Sequence, residues 1–374
     1  MGTMTATAAQ LQERALHRRA VEAAIWGMPA VNFDAMYQAL IRDAHGGSNQ
    51  IVYWSRLLDG KNQTLTPNPD AIYLMPFYDT SHGPMVLEIP PADDGSITGS
   101  IDDAWQAALA DVGPAGSDAG EGAKYLILPP NHDGSVPEGY VSLSSPTYCG
   151  YALLRSNLKS GSDADIAHAV EYGQRVKFYP LEDADNNPHT TFVDSSDELF
   201  DATIPYDASF FDALNRRVQA EPWLTRDRAM IDTLKTIGIQ KGRPFAPDEA
   251  TRAALTEAMA EAHAWLDMNY EDEFHATVYD DARWTLPAPS ELIEATTTGF
   301  SNPDSYPVDD RGVAYSWAFF SAKQLGTGQF YLMATPTTRA NHSTVQPNTN
   351  SPSPRTFQSR CTGRPPPTTA PPTP

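Results

Sequence analysis

The sequence predicts an α+β, multidomain protein, and three observations carry that prediction. Apolar residues recur at helical spacing up to about residue 44, switch to short strand-like runs between residues 51 and 154, and return to helical spacing from residue 163. Residues 335–374 differ from everything before them: 20 of the 40 are Pro or Thr, and only five are apolar. So little apolar surface cannot offset the roughly 1–2 kcal/mol per residue that ordering a backbone costs. This stretch is read as a disordered Pro/Thr-rich tail.

Residues 8–26 read as a helix, with Leu11, Ala15, Leu16, Ala20, Ala23 and Ala24 at helical spacing. Gly27-Met28-Pro29 is expected to break it, since proline lacks the amide the helix ladder needs. A second helix over residues 31–44 stops at Gly46-Gly47. The runs 51–54, 71–77, 85–89, 124–128, 140–143 and 151–154 are short and separated by Pro, Gly, Asn and Asp clusters, the pattern of a β-sandwich or barrel. Residues 163–178 look helical, with Asp163 or Asp165 as the cap, and 182–197 is polar and turn-rich. Helices follow over 208–220, 226–238 and 247–268, the last opened by Pro247-Asp248-Glu249, which suits a helix N-terminus. After Trp284-Thr285-Leu286-Pro287 the chain reads as irregular, then as a helix over 312–325 and a strand over 329–333.

The 374 residues carry 47 Asp and Glu against 26 Lys and Arg, a formal net charge of −21. Four of the bases lie in the tail, so residues 1–334 set 22 bases against all 47 acids. That balance argues against nucleic acid and anionic membrane as partners, because both would be repelled. No apolar run approaches the length of a membrane span. Residues 1–19 lack a signal peptide's apolar stretch, so the chain as written is expected in the cytoplasm. Two cysteines, Cys149 and Cys361, make neither a disulfide framework nor a zinc site.

Tests for chemical motifs leave few candidates. Gly95-Ser96-Ile97-Thr98-Gly99 has the spacing of a nucleophile elbow but isoleucine where the serine belongs. The loop from Gly113 to Gly122 holds Asp118 and Glu121, which would oppose a phosphate, and is read as a flexible connection. Cys149 is read as a buried strand cysteine, with no neighbour in sequence that would lower its pKa. Asp165, His168 and Glu171, the pair His263 and Asp267, and His275 near Asp280 and Asp281 are carboxylate–histidine neighbours without a second histidine at ligand spacing. No metal centre and no cofactor is predicted. The densest polar constellation is Thr66-Pro67-Asn68-Pro69-Asp70-Ala71-Ile72-Tyr73. Its simplest reading is an Asx turn that sets the start of a strand. Its functional reading has Asn68, Asp70 and Tyr73 converge on a ligand at one end of the sandwich.

Those residues also carry a resemblance. The Thr66-Pro67-Asn68-x-Asp70-x-x-Tyr73 stretch, Gly83-Pro84-Met85-Val86-Leu87-Glu88-Ile89-Pro90 and Ile101-Asp102-Asp103-Ala104-Trp105 resemble a bacterial group built from paired domains of unknown function, 1254 (N-terminal) and 1214 (C-terminal). So do Val112-Gly113, Gly120-x-Gly122, Tyr125-Leu126-Ile127-Leu128-Pro129-Pro130 and Arg155. Tyr306-x-x-Asp309-x-Arg311-x-x-x-Tyr315, with Leu325-Gly326 and Tyr331, resembles the approach to the C-terminal domain. The resemblance implies an N-terminal β-sandwich, an all-α middle domain and a C-terminal jelly-roll-like β-sandwich; it supplies no agreed activity, and its members include exported proteins. The expected boundaries are 1–47 for the N-terminal helical segment, 48–158 for the sandwich, 159–290 for the helical middle domain, 291–334 for the beginning of the C-terminal domain and 335–374 for the tail.

Members of the group continue past the strand at 329–333 with a further sandwich of roughly a hundred residues, the size of a small domain. Residues 335–374 carry none of its features. Yet codons can be chosen for residues 351–369 so that the neighbouring frame spells Thr-Val-Pro-Glu-Asn-Val-Pro-Val-Ala-Leu-Tyr-Trp-Ser-Ala-Thr-Ala-Tyr-Asp, the missing strand pair in order. A frameshift near residues 334–337 is therefore expected, with the tail as its product.

Two function classes follow. One is an enzyme of hydrolase or lyase type on a small neutral or cationic substrate, with Asp70, Asp102 or Asp103 as acid or base and Arg155 orienting a carboxylate. Its site is expected between the sandwich and a neighbouring domain. The other is a non-catalytic ligand-binding or structural sandwich, displaying Asn68, Tyr73, Tyr78 and Trp105 to a small molecule. Fold does not choose between them, and nothing in the sequence sets an oligomeric state.

Overall fold

Thr7 opens the first helix with a reciprocal cap: the Gln10 amide donates to the Thr7 hydroxyl, and the Gln10 side chain accepts from the Thr7 amide. That helix is the main departure from expectation in a computed structural model that describes residues 6–273, 284–318, 322–324 and 332–334. Instead of two helices there is one, α1 (Ala8–Arg42), 35 residues long with Pro29 inside it. Pro29 cannot donate to the Ile25 carbonyl one turn earlier. Gly312 instead brings its backbone against that oxygen, so close that a Cβ there would stand 2.8 Å from it. Gly27 works the same way on another side, where Leu214 fills the space a Cβ would need. The three residues read as a break are thus contact points, and every position from Ala23 to Asp34 is buried.

The sandwich follows as β1 (Gln50–Tyr53), β2 (Asn62–Gln63), β3 (Ala71–Asp79), β4 (Met85–Ile89), β5 (Ile97–Asp103), β6 (Ala108–Val112), β7 (Ala123–Leu128), β8 (Val141–Ser144) and β9 (Cys149–Asn157). Next come α2 (Asp163–Gly173), β10 (Lys177–Pro180), β11 (Phe192–Asp194) and β12 (Phe200–Asp201). One sheet has the order β11-β1-β3-β9-β5-β6 and the other β10-β4-β7-β8. Both are mixed, with β1–β11 and β7–β8 parallel. They share a core that includes Leu74, Ile101 and Leu154 from the first sheet and Leu87, Tyr125 and Phe178 from the second. A short third pairing joins β12 to β2.

Several sequence expectations shift here. The boundary at 158/159 falls inside the sandwich, because β10 and β11 complete its sheets and Tyr172 of α2 packs into its core. Residues 177–178 are strand, not helix, paired with Leu87 and Glu88. Ser162 caps α2, while Asp165 accepts the amides of Lys159, Ser160 and Gly161 at 2.6–2.9 Å. β5 and β6 have no counterpart in the sequence reading. In β5 only Ile97 and Ile101 join the sandwich core, and the residues between them are small or polar. The loop at 113–122 is an internally bonded turn: buried Asp118 accepts from the Gly113 amide at 2.6 Å and the Tyr125 hydroxyl at 2.9 Å.

The remaining elements are α3 (Ser209–Ala220), α4 (Met230–Thr236), α5 (Glu249–Glu273), β13 (Trp284–Thr285), α6 (Ser290–Thr297), α7 (Val308–Trp317) and β14 (Met333–Ala334). α6 forms where the sequence reads as irregular, with Leu292 and Thr296 one turn apart and buried. α7 starts earlier than expected and ends at Trp317. Of the expected strand at 329–333, only residues 332–333 are described; Met333 and Ala334 pair antiparallel with Thr285 and Trp284. The N-terminal half of α1 sits in a helical core with Phe210, Leu214, Leu255, Met259, Leu292 and Val313. Its C-terminal half lays Phe33, Met36 and Leu40 on Val52, Phe77 and Tyr151 of the six-stranded sheet. Met1–Thr335 is accordingly one compact unit; the other, Pro336–Pro374, lies outside the described residues, as does the expected tail. No helix among the described residues is long and apolar enough to cross a membrane.

Gly312→Ala is expected to lower stability by about 1–3 kcal/mol, because the added methyl collides with the Ile25 backbone. Gly47→Ala, where a Cβ meets open space, should change it by less than about 0.5 kcal/mol. Urea unfolding of the two variants checks the pair, and equal effects would remove the close-packing argument.

Candidate functional site

Where β5 ends, the pairing with β6 is bulged between Ile101 and Asp102, and the chain turns through Asp103-Ala104-Trp105-Gln106. Asp103 organises the turn: one carboxylate oxygen accepts the amides of Trp105 and Ala107 at 2.8 and 2.9 Å, and its carbonyl accepts the Gln106 amide at 2.9 Å. Gln106 has φ +56° and is buried, a left-handed backbone that costs a non-glycine residue about 1–2 kcal/mol. It is held there from three sides. Its side-chain amide donates to the Pro29 carbonyl of α1 at 2.8 Å, Tyr151 of β9 donates to its side-chain oxygen at 2.9 Å, and Tyr315 of α7 donates to its carbonyl at 2.7 Å.

Asp102 lies opposite Tyr151 on the face of the six-stranded sheet that looks away from the sandwich core. It has no exposed surface, and neither carboxyl oxygen has a hydrogen-bond partner among the described residues. Burial first, then the negative charge of Asp103 and Asp111, holds its pKa well above the usual carboxylate range. Burial thus biases Asp102 toward its neutral, protonated form. Burial also raises Asp103, but Arg226, the Ala107 amide and Arg311 oppose that rise. Burial likewise keeps the Tyr151 and Tyr315 hydroxyls protonated.

The other wall is cationic and aromatic. Arg311, 1% exposed, donates to the Tyr306 hydroxyl at 2.7 Å and to the Trp105 carbonyl. Trp105 packs on Trp26 with ring centroids 4.6 Å apart, and Trp26 donates to Asp227 at 2.8 Å. Arg226 lies over the rings of Phe300 and Tyr306 at 5.3 and 5.4 Å.

Of the eight residues chosen from sequence, the turn brings Asp102, Asp103 and Trp105 together. Asn68 and Asp70 stand at the opposite end of β3, where the Asn68 side chain accepts the Asp70 amide at 2.8 Å, the Asx turn of the simpler reading. Tyr73 and Arg155 face each other across β3 and β9, with the guanidinium donating to the hydroxyl at 3.0 Å and lying 5.0 Å over the ring. They share the sheet face of Asp102, but Arg155 is four residues along β9 from Tyr151, roughly 13 Å at strand spacing. Tyr73, Tyr78 and Trp105 are all buried, at 6%, 2% and 4% exposure, so they form no displayed aromatic surface. Sequence reasoning missed Trp26, Gln106, Arg226 and Asp227, which have no local pattern. Arg311 and Tyr315 had a signal in their one-turn spacing on a helix.

The remaining motifs are structural. Cys149 is half-buried, not fully buried as expected, and burial and the neighbouring Glu221 push its thiol up. His168 pairs with Asp94 at 3.4 Å and His263 with Asp267 at 3.6 Å. Among the described residues no three His, Cys, Asp or Glu side chains gather as metal ligands; His275, Asp280 and Asp281 lie outside them.

Residues 48–180 match the family model described as "Protein of unknown function (DUF1254)". That span ends at Pro180, the last residue of β10. No curated protein matches the chain. Among solved structures, the crystal structure of the VPA0106 protein from Vibrio parahaemolyticus is similar in fold, with a TM-score of 0.50 and 14% identity over 70% of this chain. The present chain covers 61% of that one.

Asp102 gives a pH signature. The folded chain keeps its proton above the ordinary range, whereas the unfolded chain releases it near about pH 4, so Asp102 lowers stability as pH rises from there. Asp102→Asn, which mimics the neutral acid, is expected to unfold at higher temperature than the parent at pH 7. The gain should vanish below about pH 4, where both states are protonated. Thermal melts across that range check it, and a variant equally or less stable at pH 7 would remove the neutral-acid assignment.

Proposed function

We propose that the chain is an acid–base enzyme of hydrolase or lyase type acting on a small molecule at the Asp102–Gln106 turn, with Asp102 as general acid. The observation that carries the reading is Asp102 itself, a wholly buried carboxyl that is biased toward its protonated form and has no hydrogen-bond partner among the described residues. A structural carboxyl at that depth is ordinarily paired, because leaving one bare costs about 1–3 kcal/mol. A neutral acid held free is suited to protonate a leaving group or a developing oxyanion. The strained Gln106 beside it supports the same reading, since strain of this kind concentrates where a site needs fixed geometry. Trp105 supplies an apolar wall, and Asp103 with its two amide bonds fixes the turn. Asn68, Asp70 and Tyr73 take structural parts. The alternative of a displayed aromatic binding surface loses support from the burial of its aromatic residues.

The reading extends to a 1214-like sandwich encoded beyond a frame change near residues 334–337. Its support is the strand pair spelled by the neighbouring frame. Sequencing the gene across that point tests it, and a clean in-frame read with no family coding downstream removes it.

Turnover of small p-nitrophenyl esters and of β-hydroxy acids tests the enzyme reading. At least one class should react, and Asp102→Asn should slow it by about 10²–10⁴ while remaining folded. No turnover of either class, or an unchanged rate in the variant, defeats it.

A further inference from the structure

Beside the turn after β5, four buried hydrogen-bond donor atoms are left without a partner among the described residues. They are Trp105 Nε1, Arg311 Nε, and Nε and Nη2 of Arg226. Trp105 and Arg311 are themselves more than nine-tenths buried. The free acceptor atoms nearby are both oxygens of Asp102 and the second oxygens of Asp103 and Asp227. Asp227 stands 3.7 Å from Arg226 Nε, beyond hydrogen-bond reach, so these acceptors do not complete the donors directly. An acceptor-only ligand group would complete them.

We propose that Arg226, Arg311 and Trp105 form a binding site for the carboxylate of a small, flat, apolar monoanion, which names the ligand of the acid–base site and rests on that reading for the chemistry alone. The two guanidiniums are prepositioned. Arg311 is fixed by the Tyr306 hydroxyl and the Trp105 carbonyl and lies 4.2 Å over Phe300, and Arg226 covers the same ring. Phe300 is buried at the C-terminal cap of α6, its amide donating to the Ala295 carbonyl at 2.8 Å. The planar fork of an arginine matches a carboxylate, and Trp26, Trp105 and Phe300 offer flat apolar walls for the ligand's body. Two arginines face the carboxyl groups of Asp103 and Asp227, which disfavours a phosphate dianion. Arg226 keeps 19% of its side chain exposed and so marks the way in from solvent.

The test is calorimetric titration of the full 374-residue chain at constant ionic strength with sodium benzoate, sodium acetate and inorganic phosphate. Benzoate should bind saturably, acetate more weakly, and phosphate not at all. Arg226→Gln should weaken benzoate by about tenfold or more, the loss of one charge-assisted pair, and Trp105→Phe, which keeps a ring but loses the donor, should weaken it as well. If Trp105→Phe fails to fold, the partly exposed Arg226 carries the comparison alone. No saturable benzoate binding, equal affinity in Arg226→Gln, or phosphate binding as tight as benzoate would each overturn the proposal. The two readings fail separately: turnover indifferent to Asp102→Asn defeats the general acid, while benzoate affinity indifferent to Arg226→Gln defeats the carboxylate site.

Discussion

The fold depends on α1 remaining one helix through Pro29. An interior proline costs a helix about 3 kcal/mol and leaves one carbonyl without its donor. Both penalties are met by tertiary packing. Gly312 closes on the Ile25 oxygen, Leu214 fills the notch at Gly27, and buried apolar side chains on either side contribute about 1.5–3 kcal/mol each. Because the helix is continuous, its two halves belong to different cores, one helical and one laid on the six-stranded sheet. Any bend at residue 29 would separate those cores and pull the Pro29 carbonyl away from Gln106.

That link ties architecture to chemistry. Elsewhere among the described residues several buried charges have partners, although single atoms of Asn32, Asp118, Ser156 and Ser195 do not. Asp34 meets Arg216 and Arg217 at 2.6 and 2.9 Å, and Glu221 accepts the amides of Tyr148 and Cys149. Asp118 takes an amide and a phenol with one of its oxygens. The turn after β5 brings a left-handed glutamine, a bare carboxyl and unpartnered donors close together. That concentration is what motivates the proposal of a site there.

Overall charge is a poor guide to this site. The chain's acidic excess favours neutral or cationic ligands at a distance, but fields from exposed carboxylates are screened over about 10 Å in salt. Beside Arg226 and Arg311 the nearest charges decide, and there the two arginines are set against Asp103 and Asp227.

Short apolar runs bounded by turn residues located β1, β3, β4, β7, β8 and β9, because those strands bury side chains whose chemistry is local. The Asn68–Asp70 turn and the long amphipathic α5 were legible for the same reason. β5 was not, since its residues between Ile97 and Ile101 are small or polar and become strand only through pairing with β9. The continuity of α1 was equally hidden, because the group that tolerates Pro29 lies almost three hundred residues away. The candidate site divides along the same line. Asp102 and Trp105 stood out as a local motif, whereas Trp26, Gln106, Arg226 and Arg311 acquire roles only from their neighbours in space. The sequence by itself determined which segments bury apolar surface; tertiary structure decided which polar groups are stranded beside them, because hydrogen-bond satisfaction is a property of three-dimensional neighbours and leaves no period in the chain.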